Sequence, residues 1–203
     1  MLAVLQGLTE FLPVSSSGHL LLPAALLGWQ DQGLTLDIAV HLGTLVAVIL
    51  YLRRDLMALA AGSCRWLLKR VESDESRLAL KLLVATLPAG LAGLALRAVI
   101  EANVRSLAIV AATSIIFAVL LWLADRSGTR RVNAVPFSEL TVPGALFIGV
   151  AQAFALIPGT SRSGVTMTAA RFLGLTREDS ARFSFLLSIP IILASGLALV
   201  GAN

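Results

Sequence analysis

Two short segments of the sequence place hydroxyl, glycine and ionisable side chains inside otherwise apolar stretches. The first is FLPVSSSGHLLL at 11–22, and the second is PGTSRSG at 158–164. The ionisable residues that accompany them are Glu10, His19 and Arg162. Ionisable groups are costly inside a membrane and usually mark a functional site there. We therefore expect these three residues to meet in one buried polar pocket.

The second segment has the residue types that bind a phosphate group. Arg162 carries a planar guanidinium whose donors match phosphate oxygens. Ser161 and Ser163 flank it with hydroxyls, while Gly159 and Gly164 allow backbone N–H groups to approach an anion. A helix that begins near Gly164 adds the positive end of its dipole to the same site.

The first segment repeats this anion-binding pattern and adds a candidate nucleophile. The serines at 15–17 also precede a predicted helix. Ser16 and His19 are three residues apart and would share one face of that helix, as a nucleophile and its base do. Glu10 lies on the preceding half-helix, with Gln6 one turn earlier on the same face. Together these groups predict phosphoryl transfer and leave open whether Ser16 or His19 is the nucleophile.

Structural roles are the alternative interpretation for several of these residues. Serines in membrane helices often hydrogen-bond to carbonyls of their own helix. Arg162 could pair with Glu10 only as a structural ion pair. His41, in DIAVHLGTL, is better explained as a packed residue of a span than as a catalyst. Gln6 and Gln152 could simply hydrogen-bond across their hairpins.

The composition indicates that these residues belong to an integral membrane protein. Of the 203 residues, 57% are hydrophobic and 14% are charged, whereas soluble domains carry about 25% charged residues. So short a chain cannot bury that much apolar surface in a soluble core. The net charge of +4 lies mostly between apolar stretches, so it indicates topology and not nucleic-acid binding. Four stretches are long enough to span a bilayer, at about 36–52, 78–97, 106–124 and 181–200.

Two further apolar regions, 1–28 and 140–175, are interrupted by polar residues. The interruptions run from Pro13 to His19 and from Pro158 to Ser163. A helix broken at membrane depth needs protein or water around the break. Both regions are therefore predicted to form re-entrant helix–loop–helix hairpins.

A shift of 146 positions aligns the two hairpins as an internal repeat. The shift places Gln6 on Gln152, Ser15 on Ser161, Ser17 on Ser163, Gly18 on Gly164 and Leu27-Gly28 on Leu173-Gly174. The predicted fold is an all-α integral membrane protein with about four full transmembrane helices and two re-entrant hairpins arranged as inverted repeats. It forms a single membrane domain over 1–203, with repeats at about 1–52 and 140–203 connected by 53–139.

Basic residues predict the orientation of these elements. Six Arg and Lys residues in 53–77, together with Arg126, Arg130 and Arg131, are expected in the cytoplasm. Part of 53–77 reads as an amphipathic helix at the membrane interface. Inverted repeats then bring the two broken helices face to face near the midplane, where polar sites form.

The motifs QGLTEFLPVSSSGH at 6–19 and PGTSRSGVT at 158–166 resemble the two signatures of the undecaprenyl-diphosphate phosphatase family, also called bacitracin-resistance proteins. FSFLLSIP at 183–190 resembles the same family. The resemblance implies a multi-pass enzyme of the bacterial inner membrane that hydrolyses undecaprenyl diphosphate to undecaprenyl phosphate. This recycles the lipid carrier for peptidoglycan synthesis and gives resistance to bacitracin, which competes for the same lipid. The resemblance also implies a divalent metal, Mg²⁺ or Ca²⁺, and a site open to the periplasm; a homodimer is left open.

The resemblance assigns roles to individual positions. Gln6 stands where some members carry a carboxylate, so Glu10 is the only charged metal ligand that this motif offers. Family members usually continue through two further spans, which predicts a C-terminally truncated member. The expected catalytic residues are Glu10, Ser16, His19 and Arg162. The expected phosphate-binding residues are Ser15, Ser17, Ser161, Arg162, Ser163 and Thr166, supported by Gln6, Gln152, Gly159 and Gly164.

Two other functions compete with this interpretation. The type-2 phosphatidic acid phosphatases have a Pro-Ser-Gly-His motif that resembles SSSGH, but they use a second histidine after their Ser-Arg. No histidine follows position 41 in this sequence. A lipid or small-anion transporter would also have inverted repeats with a midplane site, but it would not need a serine beside a histidine.

Overall fold

The computed structural model describes most of the chain, namely residues 2–20, 28, 33–103, 106–129 and 135–200. Within these ranges the structure is helical, with one isolated bridge between Val135 and Leu175 and no strand. The all-α prediction is therefore confirmed. The α-helices are α1 (Leu2–Thr9), α2 (Gly33–Tyr51), α3 (Arg53–Lys69), α4 (Asp74–Asn103), α5 (Leu107–Thr129), α6 (Val142–Ala153), α7 (Arg162–Phe172) and α8 (Arg177–Val200). Two 3₁₀ helices are Phe137–Glu139 and Phe154–Leu156.

Three described helices are long and apolar enough to cross a membrane. They contain the segments Asp74–Leu96, Leu107–Gly128 and Arg177–Leu197, which overlap three of the four predicted spans. The fourth predicted span falls in α2, where the apolar segment Ala39–Tyr51 is shorter. Val142–Leu156 is a second shorter apolar segment and belongs to the second predicted hairpin. The chain is therefore a membrane protein with long spans and shorter, interrupted helices.

Both predicted interruptions are present, but each ends earlier than the sequence suggested. The chain leaves the helical path after Thr9 and is helical again at 16–20. Likewise, α7 begins at Arg162 and not at Gly164. The reason is that a serine caps each new helix: Ser15 Oγ accepts from the N–H of Gly18 at 3.3 Å, and Ser161 Oγ accepts from that of Gly164 at 3.1 Å.

The two interrupted regions share further features at the spacing of 146 residues. Gln6 and Gln152 are both fully buried. Gly28 and Gly174 both have left-handed backbones, with φ of 67° and 96°. These features support the repeat, although its boundaries and the single-domain description stay predictions. Leu27, which belongs to the predicted repeat, lies outside the described residues. So do Arg130 and Arg131, on which the predicted orientation depends.

The helix α8 lies at the centre of the structure and packs against α2, α4 and α7. Phe183, Leu186 and Leu187 on α8 are fully buried. Helices α4 and α6 approach so closely that a Cβ at Gly149 would lie 2.3 Å from the carbonyl oxygen of Ala85. Small residues permit such contacts in membrane proteins, where packing replaces the hydrophobic effect between helices.

The basic segment 53–77 contains α3, the helix predicted at the membrane interface. Its N-terminal turn is connected to α8 by an ion pair between Asp55 and Arg182. Near the start of α4, Lys81 Nζ donates to the carbonyl oxygen of Ser138 at 3.1 Å. These contacts place the start of α4, the start of α8 and the basic segment at one end of the helix bundle.

Candidate active site

The carboxylate of Glu10 connects the two interrupted regions. Glu10 follows α1 and is only 5% exposed. Its Oε2 accepts hydrogen bonds from Gln6 Nε2 at 2.7 Å and from Ser16 Oγ at 2.6 Å, and lies 3.3 Å from His41 Nε2. Its Oε1 lies 2.5 Å from Nη2 of Arg162. The carboxylate is therefore held from four directions by residues of three separate segments.

Arg162 has one nitrogen engaged and one nitrogen without a partner. Its Nη2 pairs with Glu10, whereas its Nη1 is buried and has no hydrogen-bond partner among the described residues. The side chain is 14% exposed. A buried donor without an acceptor destabilises the protein. The unpaired Nη1 is therefore the group most suited to an incoming phosphate oxygen.

The two chain interruptions contact each other directly. The carbonyl oxygen of Leu12 accepts a hydrogen bond from Ser163 Oγ at 2.8 Å, and Ser161 Oγ lies 3.5 Å from the same oxygen. The same carbonyl also accepts from the N–H of Val14 at 2.8 Å, which lies in its own hairpin. The second hairpin therefore adds a donor to the second lone pair of this oxygen. The sequence-based expectation that the two tips face each other is confirmed.

Ser16 and His19 lie in the same helical turn but have different partners. The Oγ of Ser16 donates to Glu10. The Nδ1 of His19 lies 2.8 Å from the carbonyl oxygen of Ser15, so Nδ1 carries the proton and Nε2 is left as the basic nitrogen. In the part of the chain that is described, no hydrogen bond joins Ser16 to His19. The base within reach of the Ser16 hydroxyl is the Glu10 carboxylate.

Ser15, Ser17, Ser163 and Thr166 make hydrogen bonds within the protein. Ser15 is 3% exposed, has φ of 60°, and its Oγ lies 3.4 Å from Ser17 Oγ. Thr166 Oγ1 lies 2.7 Å from Ser184 Oγ and also contacts the carbonyl oxygen of Arg162. These side chains shape the site, and their predicted phosphate contacts stay predictions.

The two glycines of the second hairpin permit close packing. Gly159 has φ of 89°, and a Cβ there would lie 2.2 Å from Thr113 Oγ1. Ser114 Oγ donates to the carbonyl oxygen of Gly159 at 3.0 Å. Gly164 donates its N–H to the Ser161 cap. The structure therefore uses both glycines to dock the hairpin and begin α7, which the sequence had assigned to anion approach.

Gln6 and Gln152 carry buried amide groups that are not fully hydrogen-bonded. Oε1 of Gln6 and both amide atoms of Gln152 have no partner within the described ranges. Gln6 Oε1 belongs to the same amide that contacts Glu10, so it offers a second oxygen beside the carboxylate. The described residues contain no cluster of three or more His, Cys, Asp or Glu residues that could hold a metal. Since Glu10 is the one carboxylate of the site among these residues, a divalent ion bound here would need most of its ligands from a diphosphate.

Comparison with known proteins identifies the family. The family model described as bacitracin resistance protein BacA matches residues 1–202. The chain belongs to the BacA family. The undecaprenyl-diphosphatase of Alcanivorax borkumensis is 54% identical over 197 residues, which cover 97% of this chain and 73% of that relative. The undecaprenyl-diphosphatase of Hahella chejuensis is 56% identical over 198 residues, with 97% and 73% coverage.

In this BacA-family chain, His41 is the site residue that the sequence analysis had interpreted as a packed residue of a span. It lies in α2, about 30 positions after Glu10, and its side chain is 27% exposed. A lone histidine in an apolar span gives no signal about which carboxylate it will meet. The only available signal is that an ionisable side chain inside a membrane usually has a functional partner.

Proposed function

We propose that this chain hydrolyses the terminal phosphate of undecaprenyl diphosphate and releases undecaprenyl phosphate and inorganic phosphate. The undecaprenyl-diphosphatases that share about half of its residues support this reaction. The observation that carries the proposal is the buried, unpaired Nη1 of Arg162 beside the Ser16–Glu10 hydrogen bond. The reaction returns the lipid carrier to peptidoglycan synthesis and accounts for the bacitracin resistance in the family description.

The geometry favours Ser16 as the nucleophile and Glu10 as its base. As Ser16 Oγ attacks the terminal phosphorus, its proton passes to Glu10 Oε2, which is 2.6 Å away. The bond from phosphorus to the bridging oxygen breaks, and undecaprenyl phosphate leaves. Arg162 Nη1 follows the charge that develops on the phosphoryl oxygens. A water molecule then cleaves the phosphoserine, with His19 Nε2 available to accept its proton.

A divalent ion is part of this proposal because the family resemblance implies one. Glu10 Oε1 and Gln6 Oε1 are the chain oxygens that would hold it. Such an ion neutralises charge on the two phosphates and so makes the terminal phosphorus easier to attack. Because Arg162 occupies Glu10 Oε1 in this structure, the substrate would have to draw the guanidinium partly towards its phosphate.

The periplasmic opening of the site is also a proposal. The basic segment 53–77 indicates the cytoplasmic end of the bundle. The family resemblance implies that the diphosphate enters the site from the opposite leaflet. A bacterial inner-membrane location follows from the same family resemblance.

A phosphate-release assay tests the reaction. The purified chain in detergent is given undecaprenyl diphosphate with Mg²⁺, with Ca²⁺, or with a chelator, and inorganic phosphate is measured. We expect release that the chelator abolishes and that either ion restores. Undecaprenyl monophosphate serves as the control substrate and should yield no phosphate. Binding of the diphosphate lipid without phosphate release would favour the transporter alternative, and release unaffected by chelator would refute the metal proposal.

A further inference from the structure

A second charged cluster lies at the cytoplasmic end of the bundle, where α5, α7 and α8 meet. Arg177 contacts the carboxylate of Asp125 through Nε at 2.7 Å and Nη2 at 2.6 Å. Arg171 Nη2 lies 3.3 Å from Oδ1 of the same carboxylate. Two guanidinium groups therefore share one carboxylate, which leaves these three side chains with one formal positive charge.

Arg171 is deeply buried, and its Nη2 also donates to the carbonyl oxygen of Asp125 at 3.2 Å. Its side chain is 6% exposed, and its Nη1 donates to the carbonyl oxygen of Leu175 at 2.5 Å. Its Nε is buried and has no hydrogen-bond partner among the residues described. A Cβ at Gly128 would lie 2.5 Å from Arg171 Nη2, so a larger residue there would displace the guanidinium. The position offers an unused charge-assisted donor to a ligand.

A cavity of about 380 Å³ adjoins this cluster. Arg171, Arg177 and Asp125 line it, and so do the apolar side chains of Leu121 and Met167. Its walls continue to Pro13 in the interrupted part of the first hairpin. Its volume lies in the range of ligand-binding pockets, which is about 300–1,000 Å³. The cavity thus combines a cationic group with an apolar compartment, which is the pattern that an amphiphile requires.

We propose that this cavity binds an anionic phospholipid of the cytoplasmic leaflet. The phosphodiester would contact Arg171 and Arg177, and an acyl chain would lie along α5 towards Pro13. Charge complementarity favours this ligand, because a phosphodiester carries one negative charge and the cluster has one surplus positive charge. The cytoplasmic leaflet also supplies anionic lipids to basic sites.

Native mass spectrometry of the purified full chain tests the proposal. The probes are phosphatidylglycerol, phosphatidylcholine, an isoprenoid monophosphate and inorganic phosphate, each titrated into detergent-solubilised protein. We expect phosphatidylglycerol to bind at roughly tenfold lower concentration than phosphatidylcholine, because it gains one charge-assisted contact. Arg177→Gln should remove this preference. Inorganic phosphate alone should not compete, since it cannot occupy the apolar part.

A pair of matched variants separates the cavity from the lipid-facing surface. Ala118 lines the cavity, and Ala118→Trp should reduce phosphatidylglycerol binding about tenfold without altering the ion pairs. Ala112 is exposed on another face of the same helix, so Ala112→Trp is the control and should bind normally. The thermal unfolding temperature of each variant shows whether it is folded. The proposal is overturned by equal binding of both lipids, by normal binding in folded Ala118→Trp, or by tighter binding of an isoprenoid monophosphate than of phosphatidylglycerol.

Discussion

Replacement of Arg162 by lysine separates the two roles of this side chain, which are the ion pair with Glu10 and the hydrogen bond to phosphate. A lysine ammonium can keep the contact with Glu10, which now spans 2.5 Å from Nη2 to Oε1. It cannot at the same time present the second, unpaired donor that Nη1 provides. The variant therefore loses one charge-assisted hydrogen bond to the phosphoryl group, worth about 1.5–3 kcal/mol. We expect kcat/KM to fall roughly 10- to 150-fold, while the protein accumulates normally.

Phosphate release and membrane abundance are the two measurements that decide this prediction. Arg182→Lys is the matched control, because Arg182 is also paired with a carboxylate but lies at the end of the bundle that carries the basic segment. It should retain both abundance and turnover. Near-normal turnover in Arg162→Lys would show that the guanidinium is a structural bridge only, and the phosphate-clamp interpretation would then be rejected.

Replacement of Arg162 by alanine should affect folding as well as catalysis. The change leaves the carboxylate of Glu10 buried at 5% exposure without its cation. Removing one partner of a buried ion pair typically costs about 3–5 kcal/mol, so abundance should fall sharply. Adding Glu10→Gln to Arg162→Ala should restore part of the abundance but no activity. A double variant that accumulates no better than Arg162→Ala would contradict this account of the pair.

Three further substitutions test other parts of the site. Ser16→Ala should lower turnover by roughly 10²–10⁴-fold, because the hydroxyl that donates to Glu10 is lost; retained activity together with a trapped phosphohistidine would reassign the nucleophile. His41→Leu should lower kcat/KM about 2- to 10-fold through one lost hydrogen bond, His41→Gln should recover part of it, and equal rates in the two would remove His41 from the site. Gly159→Ala should lower the thermal unfolding temperature, since a Cβ there would lie 2.2 Å from a hydroxyl of α5; Gly7→Ala, which has open space, is the control and should not.

The meeting of the two hairpins was predictable from the sequence because its cause is a local imbalance. Serine–glycine breaks in apolar segments leave backbone groups that need protein or water around them at membrane depth. The hydroxyl of Ser163 meets this need for the carbonyl of Leu12. The pairing of Glu10 with Arg162 was predictable in the same way, because the two residues carry opposite charges in apolar segments.

The partners of Ser16 could not be predicted from helical spacing. The spacing from Ser16 to His19 places them on one face of a helix, but the turn over 10–15, where Ser15 has a left-handed backbone, precedes that helix. Ser16, six residues after Glu10, donates to the carboxylate of Glu10. This contact depends on the turn, and no periodic pattern reports it. The contact of His41 with Glu10 depends in the same way on how α1 packs against α2.

The catalytic site can form only after the two hairpins have docked. Glu10 holds Arg162 across 152 positions of sequence, so the base and the clamp exist as a pair only after both hairpins have docked. Nη1 of Arg162 is buried without a partner in the described part of the chain, and a phosphate oxygen would remove the free-energy cost of this burial. A phosphate oxygen can therefore bind Nη1 while Nη2 of Arg162 is still paired with Glu10. The docking of the two hairpins therefore positions the base and the guanidinium for phosphoryl transfer. The incoming diphosphate then supplies the acceptor for Nη1 of Arg162.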